Sequence, residues 1–210
     1  FGRSADDIGE LSFLENDGST RLGEIQYRQD HVNFRHRVGD IRFSTTNSGS
    51  MTERLRILGT GGITFNGDTA AANALDDYEQ GNFTPDWRGA SALGTTSYGF
   101  NEGSYVKIGN QVTVRGFSEI QGSSGGSGFW FIRNMPFTVA ADRRHRSVGS
   151  ISLEAFDFPS DVVDTVAFMD RNNNHMHLRG TRDALSPSTS ISVNSDTSWQ
   201  IIFTITYQTT

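Results

Sequence analysis

GELSF (residues 9–13), GEIQY (23–27), GDIRF (39–43) and GGITF (61–65) are four versions of one five-residue phrase: glycine, a polar or small residue, an aliphatic, a polar residue, an aromatic. In each, the aliphatic residue (Leu11, Ile25, Ile41, Ile63) and the aromatic (Phe13, Tyr27, Phe43, Phe65) lie two apart. Side chains two apart on a strand share a face, so each phrase predicts a short strand with one apolar side. Turn formers, Asn16-Asp17-Gly18 and Asn47-Ser48-Gly49, fall between them. The leading glycines are 14, 16 and 22 residues apart, which argues for irregular hairpins over a strict solenoid. Nothing within residues 1–66 is left to cover the apolar side, and isolated hairpins are marginal in water. The pattern therefore predicts an intertwined, homo-oligomeric β stem whose copies cover one another. The competing reading packs these strands on later residues in a monomeric sandwich.

Residues 67–81 form a junction and hold the one helix-like stretch. Asp68 or Thr69 is placed to cap it, Ala71, Leu75 and Tyr78 share a helical stripe, and Gly81 is placed to close it. From residue 82 to 210 the alternating runs lengthen, and the prediction is an antiparallel β-sandwich head, jelly-roll-like. Its clearest hairpin joins 105–108 to 111–114 through Gly109-Asn110. Trp199, Ile201, Phe203, Ile205 and Tyr207 alternate on one face of a last core strand, and further strands are expected at 129–133, 148–156, 162–169, 176–179 and 191–193.

The chain has 210 residues and a net charge of −6, which excludes the basic field that a general nucleic-acid or anionic-membrane binder needs. No apolar run approaches the roughly 20 residues of a membrane span. Without cysteine, stability must come from packing and association, which suits assembly in a reducing cytosol. The start at Phe1 reads as that of a fragment or processed product, with residues before it joining other components.

ERLRILGTGGITFNG (53–67), LDDYEQGNFTPDW (75–87), GSYVKIGNQVTVRG (103–116), MPFT (135–138) and ITYQT (205–209) together resemble the C-terminal stem-and-head region of bacteriophage tail-fibre and related virion appendage proteins. The resemblance is good over residues 53–116 and loose elsewhere. It implies an external virion appendage, assembled in the host cytoplasm as a homotrimer. A narrow β stem would carry a distal head that contacts a glycan or protein of the bacterial surface. It supplies no catalytic residues. The rival functions are a polysaccharide-degrading tailspike and a virion decoration without receptor role.

Candidate chemistry is sparse, and no enzyme is expected: neither paired carboxylates nor a nucleophile with its base stand out by spacing. Exposed aromatics are the usual platforms for sugars, which makes Trp87, Tyr98 and Trp130 candidates for receptor binding, each competing with a plain core role. Arg143, Arg144 and Arg146 surround His145 in a head loop and have the forked donors that grip carboxylate or phosphate groups; the alternative is a solvated loop balancing nearby acids. His175 and His177 flank Met176 on one strand face, as some fibre tips resembling this chain use them. At a three-fold axis they would supply six imidazoles to a divalent transition metal, the one cofactor considered. Arg179 on the same face favours a plain solvated strand.

Overall fold

Alternation of apolar and polar side chains is realised throughout as β-strand. The structure, a computed structural model, describes residues 7–156, 158, 162–182, 189–191 and 198–210, and is all-β. The chain divides into two compact units, Phe1–Asp76 and Asp77–Thr210.

The first unit is built from two three-stranded antiparallel sheets. One orders β1 (Asp7–Leu14), β2 (Arg21–Arg28) and β3 (Val32–His36) in sequence; the other orders β4 (Ile41–Asn47), β5 (Ser50–Ile57) and β6 (Ile63–Phe65). Each five-residue phrase sits in a strand, and its apolar residues line up across the ladders. Leu11 pairs with Ile25 and Ile25 with Phe34, while Ile57 lies between Ile41 and Ile63, and Leu55 between Phe43 and Phe65. The turn at Asp17 is fixed by its carboxylate, which accepts from the Ser19 and Thr20 backbone N–H groups at 2.9 and 2.8 Å.

Over the helix-like stretch 68–81 there is no α-helix. A single 3₁₀ turn, Ala71–Asn73, stands there, braced by the Asp68 carboxylate, which accepts from Ala70 N–H at 2.8 Å and Asn73 Nδ2 at 2.7 Å. Leu75 makes a β-bridge to Ile63, and Tyr78 opens the next strand. Local spacing suited a helix, but long-range backbone partners claimed both residues.

The second unit contains β7 (Tyr78–Phe83), β8 (Asp86–Gly89), β9 (Thr95–Ile108), β10 (Gln111–Ser124), β11 (Trp130–Arg133), β12 (Ser147–Glu154), β13 (Val162–Met169), β14 (Met176–Arg182), β15 (Thr189–Ser190) and β16 (Trp199–Gln208). Among the described residues these form one ten-stranded antiparallel sheet. Its order is β7-β9-β10-β16-β12-β13-β14-β11-β8, with β15 beside β14. The expected head is thus a continuous sheet that curls on itself. Of the strand expected at 191–193, Ile191 is buried just after β15, and residues 192–193 lie outside the described residues.

The curl brings the two ends of the sheet together, since β7 and β8 are joined by Thr84 and Pro85 alone. Side chains close the seam between β8 and β9. Trp87 N–H donates to Tyr98 Oη at 2.8 Å, Thr96 Oγ1 donates to the Trp87 carbonyl at 2.7 Å, and Asn101 Nδ2 donates to the Pro85 carbonyl at 2.6 Å.

The β9–β10 hairpin turns at Gly109-Asn110, with Gly109 at φ +56°, the left-handed geometry that a primed turn places at its first position. Its base is locked to β7. The Asp77 carbonyl accepts from Gly109 N–H at 2.8 Å, the Asp77 carboxylate pairs with Lys107, and Tyr105 Oη donates to Glu79. Gly81 and Gly103 leave room for the rings of Tyr105 and Phe83, which a Cβ there would meet at 2.8 and 2.5 Å.

Inside the curl lie the alternating residues of β16, Trp199, Ile201, Phe203, Ile205 and Tyr207, all buried, facing Val112, Val114 and Ile120 of β10 and a cluster from the far strands. Full burial of each such side chain stabilises by about 1.5–3 kcal/mol, so this stripe carries the head's core. Gly116 lies directly opposite Phe203, whose ring occupies the space that a side chain at 116 would fill. Gly116→Ala is therefore expected to destabilise the head by about 1–3 kcal/mol through overpacking, read as a lowered urea midpoint followed by tryptophan fluorescence.

Candidate functional site

The first unit turns the usual arrangement of a half-buried sheet inside out. On the apolar face of β1–β3, Leu11, Phe13, Tyr27, Val32 and Phe34 are 44 %, 51 %, 55 %, 42 % and 61 % exposed. The second sheet repeats this with Phe43, Ile57 and Phe65, each at least 40 % exposed. The polar positions of the same phrases are the closed ones, with Glu10, Glu24, Gln26 and Thr64 buried. Their charges are matched locally. Arg21 pairs with Glu24 and with Glu10 (2.9 Å), and Arg35 pairs with Glu24 at 2.7 Å. In the second sheet Arg56 holds Asp40 and Glu53, each at 2.7 Å, and Asp40 also accepts from Gly59 N–H at 2.9 Å. That N–H, more than the guanidinium, holds the Asp40 carboxyl below its ordinary range. On one face the buried carboxylates already have guanidinium partners, and the other face is mostly apolar.

In the head, the sequence candidates fall into three groups. Trp87 and Trp130 are closed off from solvent in a T-shaped cluster with Trp199, ring centroids 6.1 Å apart for Trp87–Trp130, 5.3 Å for Trp87–Trp199 and 5.5 Å for Trp130–Trp199. Trp87 Nε1 donates to Ser118 Oγ at 3.0 Å, and Ser118 Oγ donates to Asn101 at 2.7 Å. Tyr98 uses its hydroxyl on the Trp87 backbone, and burial raises its pKa. These rings are structural: a sugar reaches neither tryptophan without opening the sheet. In the strand that carries Trp130, the outward face belongs to Phe129 and Phe131.

The arginines stand on a 3₁₀ turn, Arg143–His145, capped by Asp142, whose carboxylate accepts from Arg144 N–H at 2.9 Å. Two of the three are neutralised, Arg144 by Asp142 (2.9 Å) and Arg146 by Asp170 (2.8 Å). Arg143 is exposed, with no ion-pair partner among the described residues.

The histidine strand alternates as read from the sequence. Met176 and Leu178 are buried, and His175, His177 and Arg179 share the other face. There the imidazoles meet aromatic rings. His175 stacks on Phe131 at 4.6 Å, His177 meets Phe131 edge-on at 4.3 Å, and the Arg179 guanidinium lies 3.6 Å over Phe168. His177 Nε2 is buried without a hydrogen-bond partner among the described residues. Burial foremost, then the neighbouring His175 and Arg179, lowers the His177 pKa to about 4. Among the described residues, no three His, Cys, Asp or Glu side chains are grouped as a metal ion would need within one chain.

One surface escaped sequence reasoning. On the outer side of the head sheet, Phe100 and Phe117 pack 5.5 Å apart and border an open cleft of about 730 Å³ across β9, β10, β16 and β12. A second cleft of about 500 Å³, next to it along β10 and β16, is lined by Gln111, Arg144, His145, Thr206 and Gln208. No family model, characterised protein or solved structure matches the chain.

The depressed pKa of His177 means that the unfolded chain binds the proton more readily than the folded one between about pH 4 and pH 6.5. Its contribution to stability is therefore lost as pH falls through that window. His177→Phe is expected to keep the ring contacts and flatten the fall in melting temperature from pH 6.5 to 4, compared with the unsubstituted protein by thermal denaturation at each pH.

Proposed function

We propose that the chain is a stem-and-head region of a bacteriophage fibre: a homotrimeric β stem formed by the first unit, and a head that attaches the virion to its bacterial host through a surface glycan. The observation that carries this reading is the bare apolar face of both small sheets. Monomeric soluble proteins rarely expose contiguous apolar patches beyond roughly 300–600 Å². Five aromatic rings, three on the first sheet and two on the second, each leave about half of their roughly 150–250 Å² uncovered, and with the exposed aliphatic residues beside them they bring one short unit up to that range. Because the buried carboxylates of the opposite face already have guanidinium partners, the apolar face is the one left to take a partner. Identical chains are the simplest partner with a matching apolar pattern. The number three, the virion and the host surface rest on the resemblance of residues 53–116 to fibre proteins.

In this reading the stem supplies reach, and three linked heads supply avidity, so that weak contacts by each head add up to firm attachment without catalysis. The head's curled sheet, with its own complete core, presents its outer side chains to the receptor.

Native mass spectrometry of the whole chain is expected to give a trimer; a stable monomer overturns the stem. Phe34→Asp places a charge at the middle of the first apolar face and is expected to shift the assembly towards lower oligomers while the head's tryptophan emission is unchanged. Attachment is tested separately: soluble protein is expected to block adsorption of the virus to its host cells, and failure to compete leaves only a structural role.

A further inference from the structure

Besides Gly116 and Phe203 at its base, the outer cleft of the head is lined by outward side chains that the core and the seam do not use. Phe100 and Phe117 lean together with their ring planes 39° apart, and Ile202, 59 % exposed, stands opposite Phe117 on β16. Arg115 and Glu102 flank the rings on neighbouring strands, two rungs apart in the β9–β10 ladder. Among the described residues neither makes an ion pair or a side-chain hydrogen bond, although Arg21, Arg56, Arg88, Arg144 and Arg146 all have carboxylate partners. Ser150 and Ser152 expose hydroxyls on the far wall.

We infer that this cleft binds a neutral saccharide chain, with Phe100, Phe117 and Ile202 as the stacking floor and Arg115, Glu102 and the β12 serines as the hydrogen-bonding rim. The assignment rests on the head being an attachment domain. The complementarity lies in the pairing of opposites. An arginine only donates hydrogen bonds and a carboxylate only accepts them, whereas a sugar hydroxyl does both and satisfies the two at once. An anionic ligand would meet Glu102, and a cationic one would meet Arg115. An apolar protein surface laid over the cleft would desolvate both charges without giving either a partner. The C–H faces of a pyranose match the Phe100–Phe117–Ile202 floor, as aromatic platforms in sugar sites do. The polar cleft beside it, with Gln111 and Gln208 paired across β10 and β16, continues the surface along the strands. From Gln111 to Phe117 the track runs about 20 Å at roughly 3.4 Å per residue, long enough for a chain of several sugar units.

The full chain is titrated against an array of defined neutral oligosaccharides of bacterial surfaces, up to millimolar concentration, with hits measured by calorimetry. At least one is expected to bind. Phe117→Ala is expected to weaken that binding about tenfold or more. Arg115→Ala, at an exposed position with no ion pair or side-chain hydrogen bond among the described residues, is expected to weaken it by about threefold to tenfold. Native mass spectrometry and tryptophan emission of both variants are expected to match the unsubstituted protein. If no neutral oligosaccharide binds, or if binding survives both substitutions, the cleft is not the sugar site. If either substitution lowers the oligomeric state, the cleft is a contact between copies, and the inference is overturned. Variants that block viral adsorption as well as the unsubstituted protein remove the cleft and leave attachment standing, whereas an unsubstituted protein that blocks nothing removes attachment itself.

Discussion

A β-strand has two faces, and burying only one leaves the other to be dealt with. The two units deal with it in opposite ways. In the head the sheet curls until its own strands enclose the apolar side, so that Trp199, Ile201, Phe203, Ile205 and Tyr207 find cover within one chain. In the first unit three strands per sheet are too few to curl. The polar side is closed instead, with Glu24 and Thr64 inside and guanidinium groups over the carboxylates, while Phe13, Phe34, Phe43 and Phe65 stand open. Apolar surface left open to water in this way costs stability, and the head avoids that cost only because its sheet is long enough to enclose its own apolar side.

The residues that carry the fibre resemblance have structural work in this chain. In LDDYEQGNFTPDW and GSYVKIGN, Asp77 ties down Lys107 and the hairpin turn, Glu79 receives the Tyr105 hydroxyl, Gly81 and Gly103 admit neighbouring rings, and Trp87 enters the core. Arg56, in the preceding segment, neutralises Asp40 and Glu53. These residues hold together the first strands of the second unit and, through Arg56, the second small sheet.

What the sequence made legible follows the range of the forces involved. The last strand, the Gly109-Asn110 hairpin and the shared face of each five-residue phrase are dictated within a few residues, by period-two alternation or by a turn's need for positive φ. The stretch 68–81 misled because Ala71, Leu75 and Tyr78 fit a helical stripe locally, while their partners Ile63 and Ile108 lie outside the window. Trp87 and Trp130 were candidates for the surface for the same reason: nothing near either one shows that Trp199 closes over both. The Phe100–Phe117 cleft was invisible because two of its four strands, β16 and β12, join the β9–β10 hairpin only through long-range pairing, in an order unlike that of the sequence.

The tryptophan cluster has a practical side. All three tryptophans, Trp87, Trp130 and Trp199, belong to the second unit and pack ring against ring, while the first unit holds a single tyrosine, Tyr27, and no tryptophan. Light at the red edge of protein absorption therefore excites the head alone, and rings this close should give coupled near-ultraviolet circular dichroism bands. The molecule has a built-in optical label on one of its two units, so that loosening of the first unit and melting of the second can be followed as separate signals in the same cuvette.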